Sequence, residues 1–428
     1  MEAKARDVVV VDGCRIPFQK SGTGYQDLIS YDLGKLAVKG LLHKTQLDAK
    51  KIDHLIMGTV IADVTTSNLA REVALSVGIG NSVPAHTITM ACISSNMAFT
   101  EAVNLIKTGE ADIVIVGGAD TLSDFPIRYR KKFRKNLMGA SKYRSLWDFR
   151  KLFRGLKLRD LLPEVPNIAE FSTGLSMGKS CERIAAAAGA TRQEQDQYAL
   201  LSHQRAAQAY KDGKFTDEIY PVRVPPKFRT VEKDNGFRED SSIEKLAKLR
   251  PTFVRKYGTI TAGNSSFFTD GASAVLVMAN ETAEQLGYKP KAKVHSYVYT
   301  AHEPKDQLLL GPAFAVPKVL DKAGLKLSDV DVFEFHEAFA AQVVSVLKCL
   351  DSDKFAQKEL GKSEKIGEVP MDKLNMWGGS LSLGHPFGAT GTRLVTTAVN
   401  RLADEDGKFA LIASCAAGAM AHAIILER

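Results

Sequence analysis

The chain has 428 residues, 45% of them hydrophobic and 25% charged, with a formal net charge of +8. This length predicts about two to three domains around a large core, and the composition excludes a disordered or fibrous protein. No run approaches the roughly 18 apolar residues of a spanning helix, which excludes an integral membrane protein, and Met1 to Asp7 lacks the order of a signal peptide.

In chain order, a first strand is expected at Val8 to Asp12, then a loop holding Arg15 to Phe18, Gly22 and Gly24. A helix from about Tyr31 to His43 places Leu33, Leu36, Ala37, Gly40 and Leu41 on one stripe at the helical period. A strand at His54 to Thr59 follows, and then the alternating run Ala85 to Met90, which ends in Ala91-Cys92-Ile93-Ser94-Ser95-Asn96. Met97, Ala98, Ala102, Val103, Leu105 and Ile106 recur at helical spacing up to Gly109, a C-terminal stop. Ile113 to Val116, before Gly117 and Gly118, reads as a short buried strand of the parallel type. Strand, cysteine at a turn, helix and strand form a βαβ unit, so a sheet covered by helices is expected.

From about Ser123 to Tyr257 the pattern breaks, with helices expected at Ser180 to Ala188 and Gln193 to Lys211 and an irregular stretch around Pro221 to Arg238. Between Phe125 and Asp160 thirteen Lys or Arg stand against Asp148 and Asp160, so this segment alone carries +11 and the remainder is slightly acidic. Phe133, Leu137, Tyr143, Trp147, Phe149 and Phe153 are interleaved with those charges, which makes the segment amphipathic as well as basic. Anionic membrane surface, a protein partner or the phosphates of an anionic substrate could each be what it meets. Nucleic acid is not expected, because no recognition motif accompanies the charge.

The opening plan returns near the C-terminus. Asp331 to Phe335 reads as a strand leading into His336-Glu337-Ala338-Phe339-Ala340, and Phe409 to Ala413 as one leading into Cys415-Ala416-Ala417-Gly418-Ala419. Asn375 to Gly391 is too rich in glycine and proline for a helix or strand interior, and it runs into the apolar-periodic helix Thr392 to Leu402. His385 therefore sits on a tight loop before a helix, the corner that Cys92 occupies in the first half. A duplicated α/β core puts both at the carboxyl ends of strands, where open sheets hold their ligands.

The five cysteines (Cys14, Cys92, Cys181, Cys349, Cys415) are odd in number and include no Cys-x-x-Cys pair. Neither a disulfide scaffold nor a zinc site is expected, and a reducing compartment with one or two working thiols is. Cys92, just before a helix N-terminus and beside an imidazole, is expected to have a lowered pKa. Cys181 and Cys349 fall in helical patterns and Cys14 in an early loop, so these three read as structural.

With these residues in view, the chain resembles the thiolases, which cleave 3-ketoacyl-CoA with CoA or run the reverse Claisen condensation. The Cys92 segment, Gly263-Asn264-Ser265, His336-Glu-Ala-Phe, Gly384-His385-Pro386 and the Cys415 segment occur in the family order along the whole chain. His336 where most thiolases have Asn, Cys92-Ile-Ser-Ser, Asp306 to Pro312 and the basic insertion resemble the long-chain β-subunit branch of the fatty-acid oxidation trifunctional complex. The resemblance implies a thiolase-like α/β fold with a duplicated βαβ core in five layers (α-β-α-β-α). Residues 1–122, completed by about 259–280, would form the N-terminal half, 123–258 an inserted loop domain and 281–428 the C-terminal half.

It also implies roles. Cys92 would be acylated, His385 would be its base, and Cys415 the second acid/base. One oxyanion site would use His385 and His336, the other the amides of Cys92 and Ala417, with Gly384 and Glu337 in support. Ser265, Ser266 and Met177 match positions that line the pantetheine tunnel. Coenzyme A would be a substrate, with no tightly bound cofactor and no metal. Ala417, where many thiolases have Gly, must avoid positive φ or carry strain. A homodimer or tetramer, a hydratase/dehydrogenase α-subunit, and an anionic membrane surface met through 125–160 are the implied partners. The compartment would be a bacterial cytoplasm or a mitochondrial matrix. A short-chain acetyl-CoA acetyltransferase and a non-catalytic CoA- or lipid-binding subunit are the alternatives.

Overall fold

The computed structural model describes residues 6–164 and 169–428. Residues 1–5, which belong to the N-terminal stretch read above, lie outside the described residues. The first part of the chain forms β1 (Val8–Arg15), α1 (Ser30–Thr45), β2 (His54–Gly58), α2 (Leu69–Ser76), β3 (Ala85–Ile88), α3 (Ser94–Thr108) and β4 (Ile113–Asp120). Then come α4 (Met177–Ala188) and α5 (Arg192–Lys211). The rest contains β5 (Thr269–Ala279), β6 (Ala292–Ala301), α6 (Pro312–Ala323), β7 (Val332–Phe335), α7 (Ala340–Leu350), α8 (Thr390–Asp404), β8 (Phe409–Ala416) and β9 (Met420–Glu427).

Nine strands follow the order β7-β8-β9-β6-β1-β5-β4-β2-β3. The two halves of this path meet only where Val9 and Val10 of β1 pair with Lys293 and Ala292 of β6. Within the first half, β3 and β4 flank β2 in parallel, while β5 runs antiparallel between β4 and β1. In the second, β7 is parallel to β8, and β9 lies antiparallel between β8 and β6. Ile113 to Val116 is thus buried as expected but parallel on one side only, because β5 returns beside it. Cys14 and Cys415 lie within β1 and β8, whereas the sequence suggested a loop for the first and a position beyond the strand for the second.

Side-chain alternation along the strands defines the layers. Val8 and Val10, Val114 and Val116, Ala410 and Ile412 point into one cluster with Ala98, Ala102 and Val103 of α3 and Leu394, Val395 and Ala398 of α8. Val9, Val11, Ile113 and Ile115 point the other way, against Leu33, Ala37 and Leu41 of α1 and Val73 of α2. Leu411 and Ala413 face Ala315, Val316 and Val319 of α6 and Val343 of α7. A period of two on each strand therefore separates an inner helix pair, α3 and α8, from two outer helix layers. The result is five layers, α-β-α-β-α.

The duplication is incomplete at one point, since no strand precedes the His385 turn as β3 precedes the Cys92 turn. Residues 375–389 run as turns there, pinned by isolated bridges from Leu374 to Phe333 and from His385 to Phe268. Between β4 and β5, the chain leaves the layers and returns. Buried Arg15 holds part of that excursion, with Nε 2.7 Å from Glu218 and its two terminal nitrogens 2.7 and 2.9 Å from the Asp234 carboxylate. The basic stretch forms a helix at Lys131–Gly139 and a 3-10 turn at Leu146–Phe153. Leu146, Trp147, Met138 and Leu158 are exposed there. Among the described residues no helix is long and apolar enough to cross a membrane.

Candidate active site

Cys92 rides a tight turn between β3 and α3. Ser94 ties the turn, its Oγ accepting from the Met90 amide at 2.8 Å and donating to the Ala91 carbonyl at 2.7 Å. Ala91 adopts φ 48°, a left-handed conformation that alanine tolerates poorly and that the turn enforces. Ser95 makes no cap of its own helix. Its hydroxyl instead accepts the Thr392 amide at 3.1 Å, joining the N-termini of α3 and α8.

The His385 loop is held from three sides. Gly384 sits at φ +111°, and a Cβ there would lie 2.6 Å from the Thr269 side chain, so only glycine fits. Thr269 Oγ1 accepts the His385 amide at 3.0 Å. Two residues beyond Pro386, the Gly388 amide donates to buried Asp120 at the end of β4. Both turns therefore open at the carboxyl ends of strands on the same side of the molecule.

A cavity of about 500 Å³ lies at that rim, and Cys92, His385, Cys415 and Ala417 all line it. Ser265, Ser266, Met177, Phe253, Leu309 and Phe339 supply much of the remaining wall. Met177 is the first residue of α4, one position after its Ser176 cap, so the helix begins three residues before the expected Ser180. The Ser265 and Ser266 hydroxyl protons are already used, donated to the carbonyls of Thr261 at 2.6 Å and Ala338 at 2.9 Å. The Ser265 bond closes its own loop, and the Ser266 bond joins that loop to the segment after β7, as do Ser266 N to Ala338 O and Ala340 N to Asn264 O. The serines thus brace the wall and leave only lone pairs to a ligand.

His336, at the end of β7, is fully buried behind His385, and the two ring centroids are 4.1 Å apart. The Cys92 sulfur and one ring nitrogen from each histidine lie within 4.8 Å of one another. His385 Nδ1 is 2.6 Å from Thr390 Oγ1, and His336 Nδ1 is 3.0 Å from Ser380 Oγ. Among the described residues neither Nε2 has a protein partner. Glu337 faces away from the cavity. Its carboxylate accepts from Tyr198 at 2.9 Å, Ser202 at 2.8 Å, Asn375 at 2.7 Å and the Leu381 amide at 3.1 Å, so it clamps the glycine-rich loop.

Burial sets the protonation states. It pushes the Cys92 thiol up to about 12, although the Ala417 amide, donating toward the sulfur, pulls the other way. The expected lowering is therefore not found, because desolvation of the thiolate outweighs the nearby N–H groups. Burial also drives His385 down to about 3 and His336 well below the ordinary histidine value, with the Arg393 guanidinium opposing a proton on either. Cys415 is raised by burial and further by its neighbour Cys92. The resting site is thus two thiols and two neutral imidazoles, able to pass a proton internally. Ala417 has negative φ; the positive values fall on Gly418 at 81° and Ala419 at 54°, so Ala417 is not strained in that sense.

Sequence reasoning missed Ser380 and Thr390, which contact the histidines directly, Arg393, which reaches His336 through Ser380, and Asp120, which holds the His385 loop. It also missed a recess beside the cavity, sharing Ala262, Ser265 and Phe267 with it and carrying Lys20, Arg238 and Lys245 with Asp240. The only signal for these was position. Ser380 and Thr390 lie on the His385 loop already singled out, and Arg393 lies just beyond it.

Residues 8–281 match the family model for the thiolase N-terminal domain and residues 288–428 that for the thiolase C-terminal domain. The chain is 52% identical over 422 residues to the mitochondrial trifunctional enzyme subunit beta of Mus musculus, covering 99% of this chain and 88% of the relative. It is 51% identical to a probable 3-ketoacyl-CoA thiolase of Caenorhabditis elegans, covering 98% of this chain and 94% of that one. Human mitochondrial 3-ketoacyl-CoA thiolase in complex with CoA superposes with a TM-score of 0.85 at 30% identity, covering 99% and 98% of the two chains. With both halves matched and relatives this similar over nearly their full length, the chain belongs to the thiolase family.

Proposed function

We propose that the chain is a 3-ketoacyl-CoA thiolase of fatty-acid β-oxidation, an acyltransferase that cleaves long-chain 3-ketoacyl-CoA with CoA through an acyl-Cys92 intermediate. The observation that carries this reading is the shared cavity, where two thiols, an unpartnered imidazole nitrogen and the Ala417 amide converge. His385 Nε2 takes the Cys92 proton, and the thiolate attacks the 3-keto carbon, whose oxygen gains charge beside the Cys92 and Ala417 amides. The bond between carbons 2 and 3 then breaks. Acetyl-CoA leaves as its enolate, with His385 and His336 beside the thioester oxygen, and takes its proton from Cys415. Incoming CoA returns a proton to Cys415 and attacks the thioester; Cys92 departs and recovers its proton from His385.

CoA enters as a substrate. Ser265, Ser266 and Met177 are the proposed pantetheine contacts, and the recess with Lys20, Arg238 and Lys245 supports a place for its phosphates. We assign 123–258 as an inserted loop domain between halves 1–122, completed by 259–280, and 281–428. Its basic segment 125–160, with Trp147 73% and Leu146 88% exposed, suits an anionic membrane surface. The relatives' names support a partner α-subunit and a mitochondrial location, which we take to be the matrix, and membership of the thiolase family supports a homo-oligomer.

Thiolysis of 3-ketoacyl-CoA of four to sixteen carbons by wild type and Cys92→Ala, with intact mass of wild type under limiting CoA, tests the assignment. Cleavage favouring the long chains, an acyl adduct on wild type and loss of turnover in the variant are expected. Residual turnover equal to wild type in Cys92→Ala would overturn it, and a strict preference for four carbons would move it to the short-chain class. For the membrane, co-sedimentation with vesicles holding anionic lipid is expected to exceed that with neutral vesicles and to fall with salt. Equal binding to both would remove the electrostatic reading.

A further inference from the structure

The two buried imidazoles look equivalent at first. Each has Nδ1 on a hydroxyl and, among the described residues, Nε2 free of protein partners. The hydroxyls, however, spend their protons differently. Thr390 donates its proton to the Pro386 carbonyl at 3.0 Å, so its oxygen must receive the Nδ1–H of His385. That leaves His385 Nε2 as a lone pair. Ser380 Oγ already receives an N–H from Arg393 Nη2 at 3.2 Å, and among the described residues its own proton has one acceptor, His336 Nδ1. A proton accepted at Nδ1 puts the ring hydrogen of His336 on Nε2.

We infer that Arg393 and Ser380 are positioning residues that fix His336 as the Nε2–H tautomer, opposite to His385, so that one histidine is the base and its neighbour a standing hydrogen-bond donor. The functional meaning rests on the thiolase reading. As the thioester oxygen gains enolate charge, His336 donates to it without giving up its proton, and no protonation step is needed to create that donor. Arg393 suits the task because little else uses it. Its Nη1 lies 3.7 Å from Glu334, whose closer partner at 2.8 Å is Arg401, and among the described residues its Nε and Nη1 have no hydrogen bond. Glu218 and Glu337, the other nearby carboxylates, are already engaged, the first by Arg15 and Thr397 and the second by Tyr198, Ser202, Asn375 and Leu381. Nothing negative therefore competes for the Ser380 hydroxyl.

Nitrogen-15 spectra of histidine-labelled protein test this, with the His336 signals identified by their loss in His336→Asn. Wild type is expected to show His336 protonated at Nε2 and His385 protonated at Nδ1. In Ser380→Ala, His336 is expected to populate both tautomers. Its kcat for thiolysis should fall roughly tenfold or more with KM for CoA little changed. Alkylation of Cys92 by iodoacetamide should be unaltered, because the His385–Thr390 pair is intact. A wild-type His336 protonated at Nδ1, or wild-type kcat in Ser380→Ala, overturns the inference, and the wild-type spectrum decides alone if the variant does not fold. The expected tautomers in a wild-type protein that cleaves no 3-ketoacyl-CoA would instead count against the proposed function.

Discussion

Asp120 Oδ2 accepts the Gly388 amide at 2.5 Å, so a carboxylate at the end of a strand in the first half holds the turn that carries His385 from the second. Its other oxygen accepts from Thr59 Oγ1 at 3.0 Å and from the amides of Val60 and Ile61 at 3.0 and 2.8 Å. Burial raises its pKa to about 6, and these donors pull it back toward the charged form. Asp120→Asn keeps the shape but turns an NH2 toward N–H groups that need an acceptor. A loss of about 1–3 kcal/mol in urea-unfolding free energy is expected, together with lower kcat/KM from a shifted His385. An unchanged midpoint and unchanged kinetics would show that the clamp is dispensable.

Glu337 poses the same question one shell out. Four donors converge on its carboxylate from α5, Asn375 and Leu381, and it touches no cavity wall. Glu337→Gln leaves one or two of those donors unmet, which costs about 1–3 kcal/mol in stability. Because Glu337 holds the loop and meets no substrate, kcat should fall while the pH dependence of kcat keeps its wild-type shape. A pH profile that loses a limb would make Glu337 a proton carrier and overturn the positioning role.

The corners of the site were legible because their signals are local. Glycine and proline density around His385, and a cysteine between an alternating run and a helical run, are visible without tertiary information. What lies behind the corners was not. Arg393 and Arg401 are fully buried on α8, where charge in a helix ordinarily marks the solvent face, and their partners Ser380 and Glu334 are distant in sequence, with Glu405 alone close to Arg401 on the same helix. β6 was missed because Lys293, His295, Tyr297 and Tyr299 make its alternation look like a surface segment. α6 was missed because Pro317 reads as a breaker, although it lies only five residues from the Pro312 start. The lowered thiol pKa failed for a related reason: proximity to a helix terminus and an imidazole is readable in sequence, and desolvation is not.

That desolvation has a kinetic consequence at Cys92. With the thiol pushed up to about 12 and His385 down to about 3, neither group titrates near neutrality in the free protein. The thiolate fraction then grows with every step toward alkaline pH. Alkylation of the Cys92 peptide by iodoacetamide, followed by mass spectrometry, should climb about tenfold per unit from about pH 6.5 to 8.5 without levelling. A plateau below about pH 8 would mean a thiol of ordinary or lowered pKa and a stabilising partner stronger than the Ala417 amide.

The distance between the two turns is set where α3 and α8 begin, and Gly391 is the point of closest approach. A Cβ built there would lie 2.1 Å from Asn96 Oδ1 and 2.7 Å from the Asn96 backbone nitrogen. The side-chain oxygen can rotate away, but the backbone cannot yield without moving the first turn of α3, and Cys92 stands four residues earlier. Ser95 Oγ also accepts the neighbouring Thr392 amide, so any separation breaks that bond as well. Gly391→Ala is therefore expected to cost roughly 1–3 kcal/mol through overpacking. It should also lower kcat/KM by more than stability alone explains, since Cys92 and His385 are carried apart. Measuring both in one preparation separates the effects. A folded variant with wild-type kcat/KM would mean that the inner helix pair does not set the spacing of the two turns.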